Sequence, residues 1–447
     1  MPGLSFVSSR GGAPPVTLSE AIRRGLAPDG GLYMPTRLPA IDPAGVSGRG
    51  GLPEVARVAL DGFFEGDPLR PALGSIVDAA LDFSAPTTRV AGCPDPLFAL
   101  ELFHGPTAAF KDFGARFLAE SLQRLETADT RDRADTADTT NKPPLTILVA
   151  TSGDTGGAVA AAFHRRPWVR VVILYPKGLV SPRQEQQLTC WGDNVVSLRI
   201  DGTFDDCQRL VKEALQDPAL RQRHRFSSAN SINIGRLLPQ VVYYAASSLE
   251  LERSTHAKAS YIVPAGNLGN AFAAVLARAL GFPIGRIILA HNSNRTVPDF
   301  FETGVWQPRP SVATLASAMD VGNPSNMERI RSRYPTITQI REQLSADSVD
   351  DATIRTRIGE DFMRYDREWC PHTATAAEVY ARLSAAERRD RPWVVVATAH
   401  PAKFNEIVEP IIGKAIVVPD SLDRLLRLPR HLVDLPPTLE ALAAELE

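Results

Sequence analysis

Lysine is scarce in this chain: of 49 basic residues only seven are lysine, at positions 111, 142, 177, 212, 258, 403 and 414. Arginine supplies almost all the positive charge. A guanidinium stays protonated and does not form imines under ordinary conditions, so lysine chemistry has few candidates here. Cysteine is also sparse. Cys93, Cys190, Cys207 and Cys370 have no CxxC pairing, which excludes a disulfide frame or a zinc site built on thiols and suits buried thiols of a reducing compartment. No apolar run approaches the ~20 residues of a membrane span. The first fifteen residues, MPGLSFVSSRGGAPP, lack the basic stretch and apolar core of a secretory signal. A formal net charge of -2 gives no electrostatic case for nucleic acid or an anionic membrane. The default expectation is a cytoplasmic enzyme.

What is present is alternation. From Leu145 onward, short apolar β-rich runs (Leu145–Ala150, Val169–Tyr175, Val195–Ile200, Tyr261–Val263, Arg286–Ala290, Trp393–Ala397) are separated by helix-like segments. Thr203-x-x-Asp206 is a capping box, and Leu237–Leu251 and Ala271–Leu280 are rich in helix formers. Continuous apolar strands alternating with helices predict an α/β architecture with mainly parallel sheets covered on both faces. Residues 1–92 read as a mostly helical N-terminal domain, with apolar spacing at Leu52–Phe64 and Ala72–Phe83. Residues 93–447 form the catalytic region, with a smaller α/β subdomain at about 112–228. Thr127–Pro144 (TADTRDRADTADTTNKPP) reads as a polar, flexible surface insertion.

Five segments can carry chemistry. In ELFHGPTAAFKDFGARF, Lys111 stands between Phe110 and Asp112 at a helix start. Aromatic burial and a helix N-terminus would both depress its pKa, as an imine-forming lysine requires. A lysine stem packed on phenylalanines with its amine in water fits the same spacing. The strand at Leu145 runs into TSGDTGG, and that at Tyr261 into PAGNLGN. Each small-residue turn opens a helix whose free N–H groups can hold an anion. In SSANSINIGR, Asn230, Ser231, Asn233 and Arg236 could bind phosphate or simply cap a helix. PHTA (371–374) and ATAHPAKF (397–404) are further small-residue turns, the second bearing Lys403, the main rival to Lys111. Two histidines without a third ligand make no metal site, so no metal is expected.

Taken in order, ELFHGPTAAFKDFGARF, TSGDTG, NSINxxR, GNLGN, SAMDVGNPSNMER, PHTA and ATAHPAKF resemble the threonine synthases, within the tryptophan-synthase-β-like, fold type II enzymes dependent on pyridoxal 5'-phosphate (PLP). The resemblance extends over nearly the whole chain. It implies two open, mainly parallel sheets covered by helices plus the helical N-terminal domain. It implies conversion of O-phospho-L-homoserine and water to L-threonine and phosphate by a monomer or homodimer. It assigns Lys111 to the covalent cofactor bond and to proton transfer. Gly266, Asn267, Leu268, Gly269 and Asn270 would cradle the cofactor phosphate, and Thr373 would bond the pyridine nitrogen. Ser152, Gly153, Asp154 and Thr155 would hold the substrate carboxylate end, and Asn230, Ser231 and Arg236 its phosphate. The loop Ser317–Asn326 would line the site. Leu268 and Asn270 stand where many relatives have Phe and Asp, and Arg295 of HNSNR where an acid is frequent. The neighbouring reading is another fold type II enzyme, such as a threonine or serine dehydratase or a phospho-hydroxyamino-acid lyase.

Overall fold

A computed structural model describes residues 3–46, 51–133 and 143–447. Near the N-terminus a short antiparallel pair, β1 (Phe6–Ser8) and β2 (Tyr33–Pro35), flanks the helix Leu18–Arg24, and the helices Gly51–Asp61 and Leu73–Ala80 follow. Leu52, Val55, Ala56, Ala59 and Leu60 of the second helix are buried. The spacing of these residues places them on one face of a 3.6-residue helix, which is why this stretch is helical and packed.

Two sheets form the rest. The larger has six strands in the order β11 (Ser345–Ser348), β10 (Ile284–His291), β9 (Ala259–Pro264), β12 (Trp393–Ala397), β4 (Leu97–Glu101) and β3 (Thr87–Arg89). All its pairings are parallel except that of β3 with β4. The smaller has five parallel strands in the order β13 (Val433–Leu435), β7 (Val195–Ile200), β6 (Val169–Pro176), β5 (Leu145–Ala150) and β8 (Arg225–Ser228). Every residue of β5, β9 and β12 is buried. Strands covered on both faces have no polar side to show, which is why they read as unbroken apolar runs.

Each strand expected from the sequence is present, β9 and β10 being longer than their apolar centres. Thr127–Pro144 departs from expectation in its first part. The helix that begins at Lys111 continues to Arg133, and Arg23 bonds Asp129 at 2.6 Å, so tertiary contact extends the helix into a polar stretch. The remainder of that segment, 134–142, lies outside the described residues.

In an open parallel sheet, ligands gather beyond the carboxyl ends of the strands. The segments singled out above leave those ends. β4 leads to Lys111, β5 to TSGDTGG, β8 to ANSINIGR, β9 to GNLGN and β12 to ATAHPAKF.

Candidate active site

The turn before Lys111 is tied at both ends. Phe110 N–H donates to the Thr398 carbonyl at 2.9 Å and His400 N–H to the Ala108 carbonyl at 3.0 Å. Ala108 is held at φ 54, a strained conformation for a non-glycine residue that persists only where the surroundings fix it. Asp112 accepts from the Thr107 amide at 2.8 Å and from its hydroxyl at 2.7 Å. Lys111 thus enters its helix in one orientation, its Nζ 4.3 Å from the centre of the Phe110 ring. Burial pushes its pKa down to about 8; Arg236 adds to the depression and Asp154 opposes it. The amine is partly neutral near pH 8, unlike the solvated lysine allowed by the spacing.

Lys403 is differently placed. Its Nζ is 2.7 Å from an Asp154 carboxylate oxygen and 2.9 Å from the Thr107 carbonyl, with both side chains of the ion pair buried. Gln184 donates to the same Asp154 oxygen at 2.9 Å. Burial works against the Asp154 charge, but Lys403, His372 and Gln184 outweigh it and hold the carboxyl below its ordinary value. A lysine locked into a buried ion pair is a poor imine former, which separates the two candidates.

The two glycine-lined turns meet the requirements of close approach. Gly153 has φ 132, and a Cβ there would lie 2.6 Å from the Gln184 side chain. A Cβ on Gly266 would lie 2.8 Å from Met319 Cα. The helix Gly269–Ala279 begins at Leu268 without a side-chain cap, and in the helix Asp154–Phe163 the N-cap residue Gly153 has no side chain to offer one; first-turn N–H groups not taken up within the chain can meet a ligand. Thr151 Oγ1 accepts from Gly153 N–H at 3.0 Å and Gly156 N–H at 2.9 Å, and Ser152 and Thr155 stay half-buried at the turn.

The ANSINIGR segment joins these turns. Asn267 donates to Ser231 Oγ at 2.7 Å, and Asn230 donates to the Ala150 carbonyl at 3.1 Å. Arg236 is buried, donates to the Ala229 carbonyl, and has its pKa lowered to about 10 by burial, with Asp112 opposing. Its Nε lies against Gly114, where a Cβ would sit 2.8 Å away; the absent side chain on the Lys111 helix makes room for the guanidinium. Asn233 is a cap, accepting from Gly235 N–H at 2.9 Å. Asn270 accepts from the hydroxyls of Tyr243 and Tyr244, each at 2.7 Å, and Leu268 is buried. Thr373 is buried beside Cys370, its Oγ1 3.2 Å from the Cys370 Sγ.

Two structural contributors were not singled out in the sequence. Arg329 is fully buried and donates to the carbonyls of Ser231 at 3.2 Å and Ile232 at 2.7 Å, to Tyr33 and to Asn326. It thereby ties the N-terminal segment to the ANSINIGR segment. Asn292 and Asn294 of HNSNR hold Asp320 of the SAMD loop at 2.6 and 3.3 Å, so this motif is an anchor, whereas Arg295 faces Asp299 and Glu302 at 3.0 and 2.9 Å. A cleft of ≈ 1580 Å³ opens on Asn230 and Asn267, with Arg10, Asp29 and Arg331 in its wall, and a ≈ 190 Å³ cavity is walled by Thr373, Cys370, Glu101 and His400. Lys111 lines neither.

Whether these residues fit PLP is tested by what they leave unpaired. Asn230 Oδ1, Arg236 Nε, Asn270 Nδ2 and His372 Nδ1 are buried polar atoms without a hydrogen-bond partner among the described residues. Orphaned buried polar atoms are costly and rare in native structures. Those on Arg236 and His372 belong to groups that act electrostatically with Lys111, and with the uncapped helix start at Leu268 they fit a phosphorylated, polar cofactor.

Fold and site together define a fold type II PLP-dependent enzyme, and residues 84–399 match the family described as "Pyridoxal-phosphate dependent enzyme". Residues 5–81 match "Threonine synthase N terminus" and 373–445 match "Threonine synthase, C-terminal". The chain is 40% identical over 434 residues to threonine synthase of Escherichia coli K12, covering 96% of this chain and 95% of that one. It is 39% identical over 420 residues to that of Haemophilus influenzae, covering 93% and 92%. The crystal structure of the Escherichia coli enzyme superposes with a TM-score of 0.87 at 36% identity over 99% of both chains. A PLP-bound threonine synthase from Brucella melitensis gives 0.85 at 32%, covering 99% and 98%. This chain belongs to the threonine synthase family.

Proposed function

We propose that this protein converts O-phospho-L-homoserine and water to L-threonine and phosphate, with PLP joined to Lys111. The observation that carries the site assignment is the depressed, imine-competent Lys111 amine set beside Arg236, a buried guanidinium with an unpaired Nε. When bound, PLP supplies an electron sink that stabilises negative charge beside the substrate's amino group.

The remaining work falls to the chain. Lys111, with a pKa near 8, can accept a proton from the substrate carbon and return it later at the same pH. Arg236, Asn230 and Ser231 are suited to the substrate phosphate, since charge-assisted bonds to a dianion repay the burial of the guanidinium. The turn at Ser152–Thr155 suits a carboxylate, Asp154 acting there through its pair with Lys403. The backbone of Gly266–Asn270 suits the cofactor phosphate, and Thr373 the pyridine nitrogen. A site built to hydrogen-bond a phosphate leaves its donors unpaired when homoserine enters, which can cost ~10⁴ in selectivity. Four free, buried cysteines support a cytoplasmic location.

Borohydride reduction of the holoenzyme followed by peptide mapping tests the lysine. The adduct is expected on Lys111, and an adduct on Lys403 would refute the assignment. Incubation with O-phospho-L-homoserine should yield phosphate and threonine; 2-ketobutyrate as the main product would instead indicate a dehydratase.

A further inference from the structure

His372 immediately precedes Thr373 and is 2% exposed. The Ala318 N–H donates to its Nε2 at 3.0 Å. An imidazole nitrogen that accepts a hydrogen bond cannot carry the proton, so in the neutral ring the proton lies on Nδ1. That Nδ1 is buried and has no hydrogen-bond partner among the described residues. The ring packs against Phe404 with centroids 4.9 Å apart. The charges that act on it are those of Asp154, Lys111 and Lys403. Asp154 is already engaged by Lys403 and Gln184. The chain therefore fixes a single tautomer and leaves its donor unanswered among the groups that surround the reactive amine.

We propose that His372 is a further binding residue of this site, its Nδ1–H donating a hydrogen bond to an anionic oxygen of the ligand held at Lys111. The chemical class is a phenolate or carboxylate oxygen, supplied either by the cofactor ring or by the substrate's carboxylate. The proposal rests on Lys111 being the cofactor lysine. Burial drives the ring's pKa down to about 4, Asp154 pulling the other way and the two lysines adding to the depression. The ring thus stays a neutral donor through the range in which Lys111 titrates. The Ala318 contact has a second effect. Ala318 and Met319 abut Gly266, so one loop orients both the imidazole and the proposed phosphate cradle.

Two isosteres separate a donor from a mere loop anchor. The amide of His372→Asn places an N–H near the Nδ1 position but loses the acceptor for Ala318. That of His372→Gln offers an acceptor near Nε2 and loses the Nδ1 donor. We expect the Asn variant to stay within about tenfold of wild-type kcat/KM and the Gln variant to lose about 10–100-fold, the worth of one hydrogen bond to a charged group. A changed PLP absorbance in the resting Gln holoenzyme assigns the bond to the cofactor's phenolate. An unchanged absorbance with a raised KM assigns it to the substrate's carboxylate. A Gln variant equal to wild type overturns the proposal, whatever the Asn variant does. If both variants melt well below wild type, ¹⁵N spectra of the wild-type holoenzyme decide: an exchange-protected Nδ1 proton supports the bond, and an unprotonated or freely exchanging Nδ1 refutes it. Failure of the Lys111 assignment would be seen separately, as a borohydride adduct elsewhere.

Discussion

Arg236→Met should separate activity from stability. The buried guanidinium donates to the Ala229 carbonyl, its Nε is unpaired, and Asp112 is the carboxylate whose charge reaches it. A substrate dianion would gain about two charge-assisted bonds from it, each worth about 1.5–3 kcal/mol. Their loss, about 3–6 kcal/mol at 1.4 kcal/mol per tenfold, predicts a fall of roughly 10²–10⁴ in kcat/KM. The fold, in contrast, gives up one charge-assisted hydrogen bond to the Ala229 carbonyl and is relieved of a desolvated cation. Replacing buried charge by a hydrophobe of similar length is often neutral or stabilising, so unfolding free energy should stay within about 1 kcal/mol of wild type. The assays are phosphate release from O-phospho-L-homoserine, PLP affinity by absorbance titration, and denaturant melts. PLP affinity and turnover falling by the same factor would place Arg236 on the cofactor, and a large loss of stability with unchanged kcat/KM would make it structural. Either result refutes the reasoning.

Lys111→Ala should abolish the absorbance of lysine-bound PLP, whereas Lys403→Met should retain it while costing about 3–5 kcal/mol in a denaturant melt, because Asp154 is left charged and buried; absorbance surviving in the first and lost in the second would reverse the roles. With Lys111 held to about 8, the rate of PLP capture by the apoenzyme should climb through pH ~8 and level off above it. Arg236→Met removes a positive neighbour and should move that midpoint upward; a downward move or none would contradict the coupling. Gly153→Ala, at φ 132 and 2.6 Å from Gln184, should cost about 2–4 kcal/mol, against about 1 for Gly178→Ala, which has φ 71 and open space; equal melting of the two variants would count against the close approach.

Six apolar strands were legible because burial on both faces leaves no polar residue to interrupt them; β4 (LFALE), interior and largely apolar, was missed. β8 (RFSS), β11 (SADS) and β13 (VDL) were not legible. Edge strands need few apolar residues, and their conformation comes from a partner distant in sequence. Lys111 stood out because lysine is rare here and phenylalanine flanks it, but only the ion pair with Asp154 set Lys403 aside. Arg329 lies in NMERIRSRY beside Arg331 and Arg333, where nothing local distinguishes a buried guanidinium from two surface ones. Its meaning comes from three backbone acceptors on other segments, Tyr33, Ser231 and Ile232. The HNSN asparagines were equally mute, since an anchor is defined by what it holds.

The chain leaves the larger sheet at β12 and then adds β13 to the rim of the smaller one, beside β7, where Asp434 takes two bonds from Arg199 at 2.7 and 2.8 Å. During synthesis, therefore, the smaller sheet waits for a strand whose Asp434 stands 235 positions after Arg199 to emerge, with the outer backbone groups of β7 uncovered until then. Such an open rim invites pairing with other chains. A clipped polypeptide ending just before β13 would keep every residue assigned to chemistry above, Lys403 included, and still expose that rim to self-association.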